Sequence, residues 1–259
     1  MFDATNPPAI LMALSGLRGH RMNADPRAIM AAKNNADLYA AVFSAHGLEF
    51  TRKPYGFIGQ DRPPPYYSNL SVSLPGHADE VTAELRALSE RFDGSVCVKD
   101  SFCELALESN GFEVLFGASW IWREPRPEAA PDWTRIDTTT GLESWEAAWK
   151  RSGSPTPHTM FPAALLERAD TVFLGHVVDG AILAGCIASL SDDCVGISNV
   201  FSVSNSSEVF AQATAAVSGL APDSPIVGYE SGDDLNHARD AGFSPVGDLR
   251  ILVARKARF

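Results

Sequence analysis

The sequence predicts an α/β protein of two tandem units, each a mixed central sheet flanked by helices, the first abbreviated. Three observations carry this expectation. A β-α-β-α-β order occurs around residues 66–122 and again around 196–254. Short motifs coincide in one register: Ser68-Asn69-Leu70 with Ser198-Asn199-Val200, Asp100-Ser101 with Glu230-Ser231, and Leu105 with Leu235, all at an offset of 130. Gly111-Phe112 then aligns with Gly242-Phe243 after a one-residue slip. The expected division is a helical segment plus the abbreviated unit over residues 1–124, and a complete unit over 131–259.

Asn6 before Pro7 reads as a helix start leading into Ile10, Leu11, Leu14 and Leu17. Asp25-Pro26 repeats the signal, and a third helical segment carries Leu38, Val42 and Phe43 before stopping at Gly47. Residues 48–50 are extended, and the run Asp61-Arg62-Pro63-Pro64-Pro65 is a stiff connector, because prolines donate nothing to a sheet ladder. Residues 69–74 alternate as a strand with Leu70, Val72 and Leu74 on one face. A helix over 78–92 carries Val81, Leu85, Leu88 and Phe92 on one stripe. A short buried strand at 96–98, a short helix over 104–109 and a strand over 112–122 complete the first unit, which lacks a clear opening set of strands. The proline-rich residues 123–131 read as a linker.

The second unit opens with a strand at 133–137 and a helix capped by Thr140, bearing Leu142, Trp145 and Trp149. Pro162 starts another helix. Strands at 171–178 and 181–190 meet at Asp179-Gly180, a hairpin signal because both turn positions take positive φ. A strand at 195–203, a helix bearing Val209, Ala213 and Val217, a strand at 225–229, a helix near 233–241 and a strand at 249–254 complete it.

Bulk properties narrow the function. Apolar residues make up 45% of 259 and charged residues 20%, the profile of a globular protein. A formal charge of −11 argues against nucleic acid as a partner and suits a cationic substrate, or simply confers solubility. No apolar run reaches the roughly 18 residues that span a bilayer. The first residues lack the basic start and apolar core of a signal peptide, so the expected location is cytoplasmic, with no membrane partner. The four cysteines (Cys97, Cys103, Cys186, Cys194) show neither zinc-ligand spacing nor a disulfide framework, and no metal is expected. Nothing in the sequence assigns an oligomeric state.

The order β-α-α-β-β-β-α-β-α-β of the second half resembles the GNAT superfamily of acyl-CoA-dependent N-acetyltransferases, over residues 131–254 and in abbreviated form over 48–122. The segment from Pro225-Ile226-Val227-Gly228-Tyr229-Glu230 to Ala241-Gly242-Phe243 is its most specific part. Gly caps the helix in a left-handed conformation and Phe anchors the next strand. The resemblance implies an N-acyltransferase that moves an acyl group, acetyl in the first instance, from acetyl-CoA as co-substrate to a small-molecule or peptide amine. It implies a pantetheine-pairing strand over Asn199, Val200, Phe201, Ser202 and Val203, and a phosphate loop at Ser204-Asn205-Ser206-Ser207, with Asn236 and Arg239 as further phosphate partners. It places Glu230 and Asn199 at the reacting centre, Glu230 as the base that deprotonates the incoming ammonium. An alternative reading makes Glu230 a strand-end carboxylate capping the helix near Asp233.

The sequence departs from the superfamily pattern at three points. The loop form [QR]-x-x-G-x-[GA] lets backbone N–H groups reach the phosphates, whereas residues 203–208 hold no glycine and end on Glu208. No Lys or Arg occurs over 195–236. Ala238 stands where many members carry a tyrosine acid, and Leu107 stands there in the first unit. The first unit keeps the G-x-A ending as Gly76-His77-Ala78, which makes Gly76 and Ala78 candidate cofactor-binding residues, or an ordinary Pro-Gly helix start. A non-catalytic GNAT-fold protein that binds a ligand or a protein partner is therefore the second functional expectation. Tyr66-Tyr67 could line a cleft or pack. Trp120 and Trp122, like Trp145 and Trp149, read as packing pairs, and His176 as a structural histidine.

Overall fold

A computed structural model describes residues 24–128, 131–204 and 206–255. Its described residues form one mixed sheet of eleven strands with five helices. The strands are β1 (Phe50–Lys53), β2 (Gly56–Gly59), β3 (Leu70–Val72), β4 (Val96–Asp100), β5 (Glu113–Arg123), β6 (Thr134–Ile136), β7 (Thr171–Val178), β8 (Ala181–Leu190), β9 (Val195–Ser202), β10 (Ile226–Glu230) and β11 (Ser244–Ala254). The helices are α1 (Pro26–Ala45), α2 (Ala78–Arg91), α3 (Thr139–Arg151), α4 (Val209–Ser218) and α5 (Gly232–Asp240). None is long and apolar enough to cross a membrane. The helix expected from Asn6 lies outside the described residues.

The spatial order is β1-β2-β3-β4-β11-β5-β10-β9-β8-β7-β6. Strand bounds obey the sequence offset: β4 plus 130 gives the limits of β10, and β5 plus 131 gives those of β11. The last strand of each half crosses over. β11 pairs with β4 and β5, and β5 pairs with β10, so each half's sheet is completed by the other's final strand.

Helix α1 runs across one face. Asp25 caps it, its carboxylate accepting from the Arg27 N–H at 2.9 Å, and Pro26 fits the first turn, where no N–H is needed. The two separate helices expected over this stretch are one continuous helix, because no breaker interrupts residues 26–45. Small residues Ala28, Ala31 and Ala32 let it lie close to Trp120, Trp122 and Val227 on the central strands. Further along, Leu38, Ala41 and Val42 join the cluster of Trp145, Trp149, Phe161 and Phe173 beneath α3. On the opposite face α2 packs Val81, Leu85 and Leu88 on Leu70, Val98 and Leu252. There too α4 and α5 bring Phe210, Ala213, Val217 and Ala238 against Ile121, Ile197, Ile226 and Phe243.

Several local expectations are corrected. The first half does have opening strands: β1 and β2 form an antiparallel hairpin around Pro54-Tyr55, hidden in sequence because β2 is Gly-Phe-Ile-Gly, buried throughout and without alternation. The helices expected at 104–109 and after Pro162 are short 3-10 turns, Glu108–Asn110 and Ala163–Glu167. The Asp179-Gly180 hairpin is present, with φ of 50° and 78°.

Candidate functional site

Strands β9 and β10 run parallel but share only two rungs, Ile226↔Val195 and Val227↔Gly196, and then separate. The separation is built into β9. Asn199 takes φ +52° and the β8–β9 register slips between Ile187↔Ser198 and Gly185↔Phe201, so two residues of β9 stand opposite one of β8. The extra residue turns the strand over. Val195 and Ile197 face α4 and α5, whereas Phe201 joins the core beneath α3. Asparagine is among the few side chains that tolerate this conformation.

A cavity of about 250 Å³ fills the opening. Because the strands part, residues from both sheet faces line it: Gly196 to Val200 from β9, Val227 to Glu230 from β10, and Asn35 and Tyr39 from α1, with Tyr66, Tyr67, Trp149 and Phe161 forming an aromatic wall.

Glu230 ends β10. Among the described residues no donor reaches its carboxylate, and burial, with Asp234 adding like charge, pushes its carboxyl up to about 8. Its neighbour across the β10–β5 ladder is Ser119, whose hydroxyl donates to Asp248 at 3.0 Å. The helix-capping alternative gains no support from hydrogen bonds: Ser231 is the N-cap of α5, and Glu230 bonds to none of its amides. Tyr229 points to the α1 face, with its hydroxyl raised to about 12 by burial and then by Glu230.

Beneath Tyr229 lies a residue that sequence pattern did not single out. Lys99 is wholly buried on β4, its ammonium 4.1 Å from the Tyr229 ring centre, 4.9 Å from Tyr39 and 2.6 Å from Asn35 Oδ1. Burial lowers its pKa to about 7. The ring faces are negative and offset part of that desolvation. A lysine directly after Val96-Cys97-Val98 in a buried strand was the available signal. For Asn35 and Tyr39 there was none, since only the fold brings α1 to β9 and β10.

The expected binding residues fall into three places. Asn199, Val200, Phe201 and Ser202 lie on the β9 edge that β10 leaves unpaired, with Val203 just beyond it. Ser206 and Ser207 sit at the start of α4, where the Ser206 N–H donates to Ser202 Oγ at 3.4 Å and Glu208 is the N-cap. Asn205 lies outside the described residues. Asn236 and Arg239 are on α5 and bonded to each other at 3.2 Å, at its exposed surface. Gly76 and Ala78 lie apart from these, at the start of α2 in the first half; the Gly76 N–H (φ +84°) already donates to the Glu104 carboxylate at 2.7 Å. Ala238 and Leu107, at the expected acid positions, are buried.

No family model and no curated protein matches the chain in sequence. Solved structures do match in fold. A GCN5-related N-acetyltransferase from Kribbella flavida superposes with a TM-score of 0.61 at 14% identity, over 88% of this chain and 99% of that one. One from Sphaerobacter thermophilus gives 0.53 at 12%, over 89% and 94%. Saccharomyces cerevisiae N-myristoyltransferase with bound myristoyl-CoA gives 0.50 at 10%, over 73% of this chain and 58% of its own. The fold is that of the GCN5-related acyltransferases.

Proposed function

We propose that the chain is a tandem pair of GNAT-like units acting as an acyl-CoA-dependent N-acyltransferase, with the cofactor-pairing strand and the base supplied by the second half. The observation that carries this reading is the parting of β9 and β10 around a cavity that both strands line, with an unpartnered carboxylate at its edge. The free β9 edge from Asn199 to Val203 is suited to pairing with the amides of a pantetheine arm. The first turn of α4, which follows Ser206 and Ser207, offers N–H groups to the pyrophosphate. Asn236 and Arg239 are the proposed supplement, since residues 195–236 contain no Lys or Arg.

In the proposed reaction an ammonium entering from the α1 face loses a proton to Glu230. A carboxyl held near pH 8 is matched to that transfer. The amine lone pair attacks the thioester carbonyl carbon, the C–S bond breaks, and CoA departs as thiolate, which takes up the proton that the nitrogen sheds on becoming an amide. Thiols ionise at about pH 8.5, so this leaving group does not depend on the tyrosine acid that Ala238 replaces.

One observation favours a non-catalytic ligand-binding protein instead: Glu208 caps α4 with negative charge at the expected phosphate position. Titration with acetyl-CoA and longer acyl-CoAs, by calorimetry and thermal shift, separates the two. Saturable stabilisation with slow hydrolysis or transfer to an amine supports the enzyme. Silence towards every acyl-CoA at millimolar concentration overturns it.

A further inference from the structure

The cavity also carries information about the acceptor. Lys99 is enclosed by the faces of Tyr229 and Tyr39 and by Asn35 Oδ1. All three are acceptors, and an ammonium has only donors to give. The carboxamide of Asn35 is therefore fixed in one orientation, with oxygen towards Lys99 and the N–H2 end away from it. Among the described residues that end has no acceptor, and Asn35 lines the cavity. The adjacent Asn34 serves as a contrast. Its amide donates to the Ser189 carbonyl at 2.9 Å and its oxygen accepts from Ser189 Oγ at 2.7 Å, so it is consumed by the fold.

The cavity thus presents a donor at Asn35, an unpartnered carboxylate at Glu230, and an apolar wall of Leu38, Tyr66, Trp149 and Phe161. Resting on the acyltransferase reading of the same site, the geometry points to an acceptor that is an α-amino carbonyl compound with an apolar side chain, its carbonyl recognised by Asn35. Asn35 is the specificity-determining residue, and Lys99 is a positioning residue that acts through it. The ammonium meets Glu230, the neighbouring carbonyl oxygen accepts from Asn35, and the side chain rests on the aromatic wall. With Glu230 alongside, a neutral amide carbonyl suits the site better than a free carboxylate, which favours a peptide amino terminus over a free amino acid.

Binding of phenylalaninamide, leucinamide, phenylalanine and 2-phenylethylamine to the full chain tests this without relying on turnover. The amides are expected to bind about tenfold more tightly than phenylethylamine, as one added hydrogen bond provides. Phenylalanine separates the two sources: tighter binding than the amide assigns a free amino acid, weaker binding a peptide terminus. Asn35→Leu should abolish the preference for the amides over phenylethylamine. Lys99→Met, a neutral replacement for a buried charge and therefore compatible with folding, should do the same by raising KM for the amide with kcat retained. Equal binding of amide and plain amine, a preference that survives Asn35→Leu, or no binding by any of the four, overturns the inference. Failure of acyl-CoA to bind, with the amide preference intact, overturns the acyltransferase reading alone.

Discussion

Strands β3 and β4 are parallel neighbours in the first half, as β9 and β10 are in the second, and each pair shares only two rungs. Beyond those rungs the two pairs diverge. Asn69 bridges the first pair: its N–H donates to the Cys97 carbonyl at 2.9 Å and its side-chain oxygen accepts from the Cys97 N–H at 2.8 Å. Ser101 then donates across to the Val72 carbonyl, closing the far end. In the second pair Asn199, offset from Asn69 by 130, is turned into the bulge and bonds only to Ser198 through its side chain. The carboxylates differ too. Asp100 is buried but accepts from the Glu104 and Leu105 amides at 3.1 Å, and its cross-strand neighbour Arg250 donates to it at 3.0 Å. Glu230 faces Ser119 and has no such partner. One sheet thus holds a locked form and an open form of the same arrangement. Across the strand the locked carboxylate faces arginine and the open one serine.

The comparison breaks most visibly at Glu230. Glu230→Gln should lower kcat/KM by about 10²–10⁴-fold, the usual worth of a general base, with acyl-CoA affinity unchanged by calorimetry. Stability gives a second readout. A carboxyl raised from 4.5 to about 8 by folding contributes stability that is full below pH 4.5 and lost as pH rises through 8. The wild-type decline over that window should therefore be reduced in Glu230→Gln; identical stability profiles for the two proteins would remove Glu230 from the buried site.

Arg250→Ser strips the locked pair of its cation, leaving Asp100 only the Glu104 and Leu105 amides, and should cost about 3 kcal/mol in urea unfolding. Activity per folded molecule should hold, because Arg250 lies outside the cavity; a matching loss of turnover would show that the first half takes part in the chemistry. Ser119→Arg does the converse and places a cation opposite Glu230. The acidic limb of the kcat/KM profile, expected near pH 8, should move down by about 1–3 units. A limb that stays in place dissociates it from Glu230. The smallest effect belongs to Asn69→Ala, which frees the Cys97 N–H at a cost of about 1–2 kcal/mol and should leave acyl-CoA binding untouched.

Much of this architecture was legible in the sequence because it is local. The limits of β10 and β11 track matching motifs, and the hairpin at Asp179-Gly180 reflects the φ values that its turn demands. The exchange of β5 and β11 was not, since periodicity records which face of a strand is apolar and not which strand lies beside it. The site was half legible. Glu230 and the β9 edge stand at motif positions. Asn35 and Lys99 meet across 64 residues of chain through a fold that neither specifies alone.

The exchanged strands also bear on how the chain is made. β4 acquires its inner neighbour only when residues 250–254 are present, so the first half leaves the ribosome with an open edge and must wait for those residues to cover it. Closing so large a loop is slow, and in the interval that bare edge is a template for misassembly. Cutting the chain between the halves would part β4 from β11 and β5 from both β10 and β11, so neither piece would keep its full set of strand neighbours.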